Sequence, residues 1–366
     1  MFKNSHVSPV LMILALSAGG CRTASQQGQA HESVPACSII YDAGSSMTRL
    51  FVYQQTAAGW LLHPGPGTDA LADPIRGNRG KTMADADSVI DALLEALSDL
   101  RSDGPLEKNG KPRWLAFDWQ RQCRVESAAV YATAGMRIAE QQDAGASDLL
   151  WNKLNERLGT TLGVPVTTRS LSEYEEGLYA WLALSESQPD ANFGIAEMGG
   201  ASLQVAFPCG TCEGARQVRL KDRTVQVFSR SFLGWGQDEA WNRFGHVAAC
   251  QRGAGVADRG WRMNDCESGM AGFADAAAEV RRNLEEADGL RWYLTDAFRY
   301  MRSSDIENYC RKGLDSGFEP ESSCFRAIYL QTVIKTLALP PDSAKSEVNW
   351  TLGAVVCAAT QCLETR

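Results

Sequence analysis

The sequence predicts an α/β protein made of two related domains. Apolar runs of strand length alternate with helical patterns, an order typical of sheets covered by helices. Two distant segments also repeat one arrangement, in which an apolar strand, an acid, a turn of small residues and a second apolar strand follow one another. A chain of 366 residues has room for two such units.

The repeated segments are interpreted as the opening hairpins of the two domains, at residues 39–52 and 194–207. Asp42 aligns with Glu197, and Arg49 aligns with Gln204. Because the two copies lie so far apart, they do not form a solenoid, whose repeats are short and contiguous.

Apolar residues at helical spacing follow both hairpins. They predict helices near residues 89–97, 149–158, 276–287 and 324–337. Recurring Gly and Pro predict a loop over residues 64–80. A stretch rich in Gly and Arg, residues 249–272, is interpreted as an insertion closed by Cys250 and Cys266.

Composition excludes several classes of function. Hydrophobic residues make up 44% of the chain and charged residues 22%, as in ordinary globular proteins. The net charge of −8 does not suit a nucleic acid polymer, which needs clustered Lys and Arg. With four His in the whole chain, a zinc or non-haem iron centre built on His is not expected.

The N-terminus has the pattern of an export signal over residues 1–20, with a basic start, a short apolar run and small residues. Cys21 follows the small residues, which is typical of a bacterial lipoprotein acylated at that cysteine; plain secretion is the alternative. Residues 21–36 are rich in Gln, Ser and Ala and are predicted to be a flexible tether. We therefore expect an exported protein, periplasmic or held at the outer membrane only by a lipid at Cys21.

Ten further cysteines, an even number in an exported chain, predict disulfides whose connectivity the sequence leaves open. Cys357 and Cys362 lie five residues apart on a predicted helix and are too distant to pair unless that helix ends between them. The CxxC pair Cys209 and Cys212 is interpreted as structural rather than as a redox or zinc motif, because no second pair accompanies it.

Two turns have the composition of anion sites. The turn at Gly44, Ser45 and Ser46 offers successive backbone N–H groups, and its glycine permits a positive φ. Asp42, just before this turn, is compatible with a phosphate only if a divalent cation lies between them. The turn at residues 199–202 repeats this pattern after Glu197. The alternative is a pair of Gly–Ser hairpins with capping acids.

A third candidate anion site lies at residues 131–137, where small residues follow an apolar run and precede a helical pattern. Backbone N–H groups at such a helix start suit an anion. Arg137 ends this segment and is either part of that site or a structural ion-pair partner.

Glu176 is the candidate general base. Ser172 and Glu175 match a capping box, which gives Glu175 a structural task and leaves Glu176 free. Gly177 is unfavourable within a helix, so we expect another group to approach it closely. The alternative is that Glu176 only complements the helix dipole.

Five of these segments, in this order, resemble the conserved regions of the nucleoside triphosphate diphosphohydrolase (apyrase) family: residues 42–49, 132–137, 175–181, 197–204 and 349–353. Residues 232–236 resemble a further family segment. The resemblance implies two actin-like (RNase H-like) domains with the active site in the cleft between them. The implied domains are residues 37–169 and 170–345, and residues 346–366 form a C-terminal helix that returns to the first domain.

The resemblance also implies the roles of single residues. Glu176 would deprotonate the attacking water, which Ser202 and Gln204 would orient. Asp42 and Glu197 would hold Mg²⁺ or Ca²⁺, largely through water. Nine residues would line the phosphate path, namely Gly44, Ser45, Ser46, Thr48, Arg49, Thr133, Ala134, Gly200 and Ala201. Trp235 and Tyr329 are candidates to stack on the nucleobase, and each fits a core position equally well.

The expected activity is hydrolysis of the terminal phosphates of nucleoside tri- and diphosphates by a monomer. One departure concerns the cation site, because the family usually has Asp at the position of Glu197, and the extra methylene displaces the carboxylate. Two alternatives remain open: an exopolyphosphatase-like phosphohydrolase of the same superfamily, and a surface lipoprotein that binds nucleotide without hydrolysing it.

Overall fold

The computed structural model describes residues 34–77, 85–188, 190–245, 250, 263–270, 277–285, 289–300, 306, 310, 320–340 and 342–363. The predicted export signal, the predicted acylation site at Cys21 and most of the predicted tether lie outside these residues. No helix in the described part of the chain combines the length and apolar character that a membrane span needs.

The first sheet has five strands in the order β3-β2-β1-β4-β5. Its strands are β1 (Ala36–Ala43), β2 (Thr48–Thr56), β3 (Gly59–Thr68), β4 (Arg124–Ala132) and β5 (Val166–Ser170). β1, β2 and β3 form an antiparallel meander, and β4 and β5 extend it in parallel on the other side of β1. The loop predicted over residues 64–80 is partly wrong, since β3 continues to Thr68, held by its ladder to β2.

The second sheet has six strands in the order β11-β10-β6-β7-β9-β8. Its strands are β6 (Phe193–Met198), β7 (Ser202–Pro208), β8 (Arg216–Arg219), β9 (Thr224–Leu233), β10 (Arg291–Asp296) and β11 (Ala344–Lys345). It repeats the plan of the first sheet, with an antiparallel hairpin β6–β7 and a parallel strand, β10, beside the first strand of that hairpin.

Helices connect and cover these strands. They are α1 (Asp73–Arg76), α2 (Ala86–Asp99), α3 (Trp119–Gln122), α4 (Ala134–Gln142), α5 (Ala144–Leu162), α6 (Glu173–Ser185), α7 (Gln237–Phe244), α8 (Met263–Gly269), α9 (Ala278–Glu285), α10 (Pro320–Thr336) and α11 (Trp350–Thr360). A 3₁₀ turn, Ala297–Tyr300, follows β10. The four predicted helices correspond to α2, α5, α9 and α10.

Three hydrophobic clusters hold the fold together. The first joins β1, β2 and β4 to α2 and α5, and the second joins the second sheet to α10. The third is built on α6 and α11 and receives residues from both sheets, such as Ile40 and Ile195. Trp181 of α6 is fully buried in this third cluster, so truncation to Ala should destabilise the protein by about 3–5 kcal/mol.

Helices α6 and α11 approach each other closely. A Cβ atom at Gly353 would lie 1.8 Å from the carbonyl oxygen of Tyr179, so only Gly fits there. Thr351 at the start of α11 also hydrogen-bonds to Tyr53 of β2 at 2.7 Å. The glycine and the hydroxyl therefore fix α11 against α6 and the first sheet.

Within the described residues, ten cysteines form five disulfides: Cys37–Cys123, Cys209–Cys212, Cys250–Cys266, Cys310–Cys324 and Cys357–Cys362. The CxxC pair is thus a disulfide. Cys357 and Cys362 pair because α11 ends at Thr360 and Gln361 adopts a left-handed conformation (φ 50°) that turns the chain back. Cys250 and Cys266 do close the predicted insertion, most of which lies outside the described residues.

Candidate active site

The two hairpins have the same register around their acids. Asp42 on β1 lies opposite Arg49 on β2, and Glu197 on β6 lies opposite Gln204 on β7. The two acids and their two partners thus occupy equivalent positions in the hairpins, as the alignment of Asp42 with Glu197 and of Arg49 with Gln204 predicted. Since residues opposite each other in an antiparallel pair project to the same face, each acid lies beside its partner residue.

The turns of the two hairpins meet. A Cβ atom at Gly200 in the second turn would lie 2.5 Å from Ser45 Oγ in the first turn and 2.6 Å from Asp238 Oδ2 of α7. Ser46 Oγ also donates to Asp238 Oδ2 at 3.3 Å. The positive φ that glycine permits is not adopted at Gly44, which is absent from the residues with positive φ among those described. Close packing at the turns, rather than backbone conformation, requires glycine.

The third candidate anion site adjoins the first turn. Thr133 lies between β4 and α4 and donates its backbone N–H to the carbonyl of Ala43 at 3.2 Å. A Cβ atom at Gly135 would lie 2.8 Å from Ser45 Cα, so α4 begins directly against the turn. The free N–H groups of the first turn of a helix favour an anion, and here they lie beside the hairpin turn that has the same property.

The capping box at the start of α6 forms as predicted. Ser172 accepts from the Glu175 backbone, and the Glu175 side chain accepts from the Ser172 backbone at 3.0 Å. Arg169 of β5 holds the same carboxylate through two further hydrogen bonds of 2.6 and 2.8 Å. Glu175 therefore has a structural task, which leaves the adjacent Glu176 to other partners.

Glu176 is buried and accepts hydrogen bonds on both carboxylate oxygens. Ser202 donates to Oε1 at 3.1 Å, Ser231 donates to Oε2 at 2.9 Å, and Arg137 forms an ion pair with Oε2. Each carboxylate oxygen has about two lone pairs. Oε2 is thereby saturated, whereas Oε1 keeps one acceptor position. Arg137 is thus an ion-pair partner, as one of its two predicted alternatives had it, and the residue with which it pairs is the candidate base.

Gln204 completes a ring around this carboxylate. Its Nε2 donates to Ser202 and, at 3.1 Å, to Ser231, the two hydroxyls that bind Glu176. No residue in the described part of the chain donates to Gln204 Oε1, so that oxygen is available to another donor. We call Glu176, Arg137, Ser202, Gln204 and Ser231 the carboxylate ring.

The close approach expected at Gly177 is present. A Cβ atom there would lie 2.5 Å from Ser229 Oγ, which donates to the Tyr174 carbonyl at 2.8 Å. Glycine at this position lets α6 pack closely against β7 and β9. This packing brings Glu176 within hydrogen-bonding distance of Ser202 on β7 and Ser231 on β9.

Asp42 and Glu197 are both buried carboxylates, 5% and 7% exposed. Burial raises the pKa of Asp42 to about 6, although Arg49, 3.5 Å away, opposes the rise. Burial, and then the charges of Asp296, Glu176 and Asp42, raise the pKa of Glu197 well above its usual range. Among the described residues no hydrogen-bond or ion-pair partner contacts the Glu197 side chain.

A buried carboxylate without a partner is costly, and a divalent cation would offset that cost. Carboxylate oxygens are the donors that Mg²⁺ and Ca²⁺ prefer. Within the described residues, no three His, Cys, Asp or Glu side chains converge closely enough to hold a metal by themselves. The donor set therefore fits a cation that also binds water and phosphate oxygens.

The two candidate nucleobase residues differ in exposure. Tyr329 is fully buried, stacks on Phe325 with ring centroids 5.8 Å apart, and donates to the Trp235 carbonyl at 2.7 Å. A ring in that position belongs to the core and has no open face for a base. Trp235 is half-buried, and the guanidinium of Arg243 lies 5.0 Å from its ring centroid.

The sequence analysis missed Ser231 and Asp238. Ser231 is a buried polar residue on β9, directly opposite Gln204. Its alternation with Phe228 and Phe232 could have indicated a polar position on the inner face of a strand. Asp238 lies two residues after the family-like segment 232–236, at a helix start, where an acid is ordinarily attributed to the helix dipole.

Two mixed sheets of the same plan, with their first hairpins meeting at acidic turns, define an actin-like α/β protein. Solved structures agree with this fold: a PPX-GPPA enzyme of Aquifex aeolicus superposes with a TM-score of 0.52 at 14% identity, covering 88% of this chain and 99% of that one. An exopolyphosphatase from Cytophaga hutchinsonii gives a TM-score of 0.51 at 11% identity, covering 89% and 98%.

The GDA1/CD39 (nucleoside phosphatase) family model matches residues 120–324, more than half of the sequence, and the chain belongs to this family. Relatives include the nucleoside-triphosphatase ntp-1 of Caenorhabditis elegans, 25% identical over 234 residues, and ectonucleoside triphosphate diphosphohydrolase 8 of Rattus norvegicus, 27% identical over 227 residues. Each match covers 56% of this chain and 39% or 42% of the relative. The chain thus spans about two fifths of the length of these relatives.

Proposed function

We propose that the protein is an exported nucleotidase that hydrolyses the terminal phosphates of nucleoside tri- and diphosphates, converting ATP to ADP and then to AMP. The observation that carries this proposal is the carboxylate ring, in which a buried glutamate keeps one acceptor position close to two glycine turns and a helix start. Family membership and the names of the relatives support the same reaction class.

In this mechanism the terminal phosphoryl group lies between the two hairpin turns and the start of α4. Backbone N–H groups around Ser45, Ala134 and Gly200 stabilise the charge on its oxygens without reorganising. The side chains of Ser46, Thr48 and Arg49, with Thr133 and Ala201, line the rest of the phosphate path.

The attacking water lies between Glu176 and the phosphorus atom. Gln204 Oε1 accepts one of its hydrogen bonds, and Ser202, whose hydroxyl donates to Glu176 Oε1, positions the oxygen that accepts the other. Glu176 Oε1 accepts a proton as the water oxygen bonds to phosphorus, and the bond to the bridging oxygen breaks. The leaving nucleotide departs with that oxygen, and the proton on Glu176 returns to solvent.

Asp42 and Glu197 would hold a divalent cation, Mg²⁺ or Ca²⁺, largely through its water molecules. When bound, this cation neutralises the negative charge of the phosphate chain. The two carboxylates would orient the water molecules of the bound cation, and in their ionised form they would repel an anionic substrate that arrives without it. For the nucleobase, Trp235 remains our candidate, whereas we withdraw Tyr329.

Replacement of the base tests the mechanism. Glu176→Gln should lower phosphate release from ATP and ADP by about 10²–10⁴-fold while leaving the fold intact. Glu175→Gln is the matched control, because it removes the neighbouring carboxylate, which caps α6 but does not belong to the carboxylate ring. The control should lose about 0.5–2 kcal/mol of stability and keep most of its turnover. Near-normal turnover in Glu176→Gln would remove Glu176 from the mechanism.

A substrate panel separates this activity from its alternatives. Phosphate release is measured with ATP, ADP, AMP and long polyphosphate, each with Mg²⁺, with Ca²⁺ and with a chelator. We expect release from ATP and ADP, none from AMP, and none with the chelator. Preference for polyphosphate would favour an exopolyphosphatase, in keeping with the fold of the solved neighbours. Cation-dependent ATP binding without release would favour a binding lipoprotein.

The five disulfides of the described residues indicate a location outside the cytoplasm. We extend this to a periplasmic or outer-membrane lipoprotein acylated at Cys21 that acts as a monomer, with domains at residues 37–169 and 170–345 joined by the returning segment 346–366. Mass spectrometry of the mature N-terminus tests the lipid, and light scattering tests the monomer.

A further inference from the structure

Ser231 contacts three of the four other members of the carboxylate ring, namely Glu176, Arg137 and Gln204. It is 2% exposed and lies on β9, directly opposite Gln204 of β7. Ser202 and Gln204 project to this same face of β7, since they are two residues apart on one strand. This face of the sheet packs against α6, which carries Glu176.

The hydroxyl of Ser231 uses every hydrogen-bonding position that it has. It donates to Glu176 Oε2 at 2.9 Å and accepts from Arg137 Nη2 at 2.8 Å and from Gln204 Nε2 at 3.1 Å. A serine hydroxyl has one donor and two acceptor positions. Because all three are used, this oxygen fixes the carboxylate, the guanidinium and the amide relative to one another.

We propose that Ser231 is a positioning residue of the hydrolysis: its hydroxyl holds Glu176 Oε2 and Gln204 Nε2 so that Glu176 Oε1 and Gln204 Oε1 both face the attacking water. This inference rests on the proposed function. Ser231 itself touches neither the water nor the phosphate, so it acts only through Glu176 and Gln204.

Removal of this hydroxyl has definite consequences. Glu176 Oε2 keeps Arg137 as its remaining partner, which draws the carboxylate toward the guanidinium. One N–H of the buried Gln204 amide loses its acceptor, and the amide turns to find another. Both oxygens that face the water are then displaced, which lowers the rate of the chemical step more than the affinity for substrate.

The first experiment compares Ser231→Ala with Ser229→Ala. Ser229 is the matched control, since it is a buried serine two residues earlier on the same face of β9 whose hydroxyl donates to a backbone carbonyl instead of to Glu176. We expect Ser231→Ala to lower kcat for ATP by about 10- to 100-fold with KM within about twofold. Ser229→Ala should keep kcat within about threefold of the parent.

A second pair separates the hydroxyl from its volume. Ser231→Thr and Ser231→Val add nearly the same bulk, but only threonine keeps the oxygen. If both fold with reduced stability, the threonine variant should still turn over at least about 10-fold faster than the valine variant. Equal kcat in these two variants overturns the inference, as does a Ser231→Ala rate equal to that of Ser229→Ala.

The parent chain distinguishes this inference from the proposed function. If the parent releases no phosphate from any nucleotide, both the proposed function and the proposed role of Ser231 are refuted. If the parent is active and Ser231→Ala is equally active, only the proposed role of Ser231 is refuted.

Discussion

Asp42 and Glu197 occupy equivalent places in the two opening hairpins, yet their surroundings differ. Asp42 lies opposite Arg49, whose guanidinium is 3.5 Å away and half exposed. Glu197 lies opposite Gln204, whose amide nitrogen binds Ser202 and Ser231 instead. The first hairpin partly neutralises its own acid, whereas the partner residue of the second hairpin binds the two serines that donate to Glu176. Exchanges at two equivalent positions thus give the two acids different surroundings.

Between the two hairpins, the largest loss of activity is expected when the partner residue of the second hairpin is replaced. Gln204→Ala should lower kcat by about 10²–10³-fold, because it frees Ser202 and Ser231 together and removes the oxygen that faces the water. Arg49→Ala should cost less and raise KM more than it lowers kcat, because Arg49 is half exposed and lies on the phosphate path. Steady-state kinetics with ATP measure both. Equal kcat losses would show that the two hairpins do not divide their tasks in this way.

The next largest effect concerns the acids themselves. Asp42→Asn and Glu197→Gln should each weaken binding of the cation by about 10- to 100-fold, which calorimetry with Mg²⁺ or Ca²⁺ measures. Without cation, Glu197→Gln should raise the melting temperature more than Asp42→Asn does, because Asp42→Asn also deprives Arg49 of its partner. A lower melting temperature in Glu197→Gln, at a pH where the Glu197 carboxyl is ionised, would contradict the idea that Glu197 is an uncompensated buried charge.

The pH dependence follows from the raised pKa values. The Asp42 carboxyl has its pKa raised from 3.8 to about 6, which corresponds to about 3 kcal/mol of stability. For a raised pKa this contribution is fully present below pH 4 and is lost as the pH rises through about 6. The cation-free protein should therefore lose stability between pH 4 and 7 relative to Asp42→Asn, while cation affinity rises over the same range. If the melting temperatures of the two proteins changed equally between pH 4 and 7, this expectation would be contradicted.

The smallest effect is expected from shortening the second acid. Glu197→Asp keeps the charge and withdraws the carboxylate by one methylene, to the length that the family usually has. We expect a change of about twofold to tenfold in the activity ratio between Mg²⁺ and Ca²⁺, because Mg²⁺ tolerates less variation in ligand distance than Ca²⁺ does. An unchanged ratio would show that Glu197 reaches the cation only through mobile water.

The motifs of the sequence predicted much of the site. The repeated hairpins predicted equivalent positions for Asp42 and Glu197, and the capping box correctly separated Glu175 from Glu176. These features depend on residues close together in the chain, where short spacings and local hydrogen bonds determine the geometry. The roles of the site residues remain predictions until the variants above are measured.

Other features depended on contacts between distant segments. The strand from Pro64 to Thr68 formed despite Gly and Pro because β2 supplies its partners, and the ladder outweighs local propensity. Tyr329 is buried in the core, and its hydroxyl donates to the carbonyl of the distant Trp235, an outcome that its helical spacing did not distinguish from exposure. The pairing of Cys357 with Cys362 is local by contrast, and it required a helix end at Thr360, followed by the left-handed Gln361, that the helical pattern did not locate.

The sequence by itself determined the fold class, the two acidic hairpins and the identity of the candidate base, because these follow from local patterns of polarity and turn residues. Only the tertiary structure decided what surrounds that base. Ser231 and Arg137 reach Glu176 from β9 and α4, elements that lie 55 and 39 residues away in the chain. Hydrogen bonds across such distances exist only once the sheets and α6 have packed, since nothing in the local sequence directs one side chain toward the other.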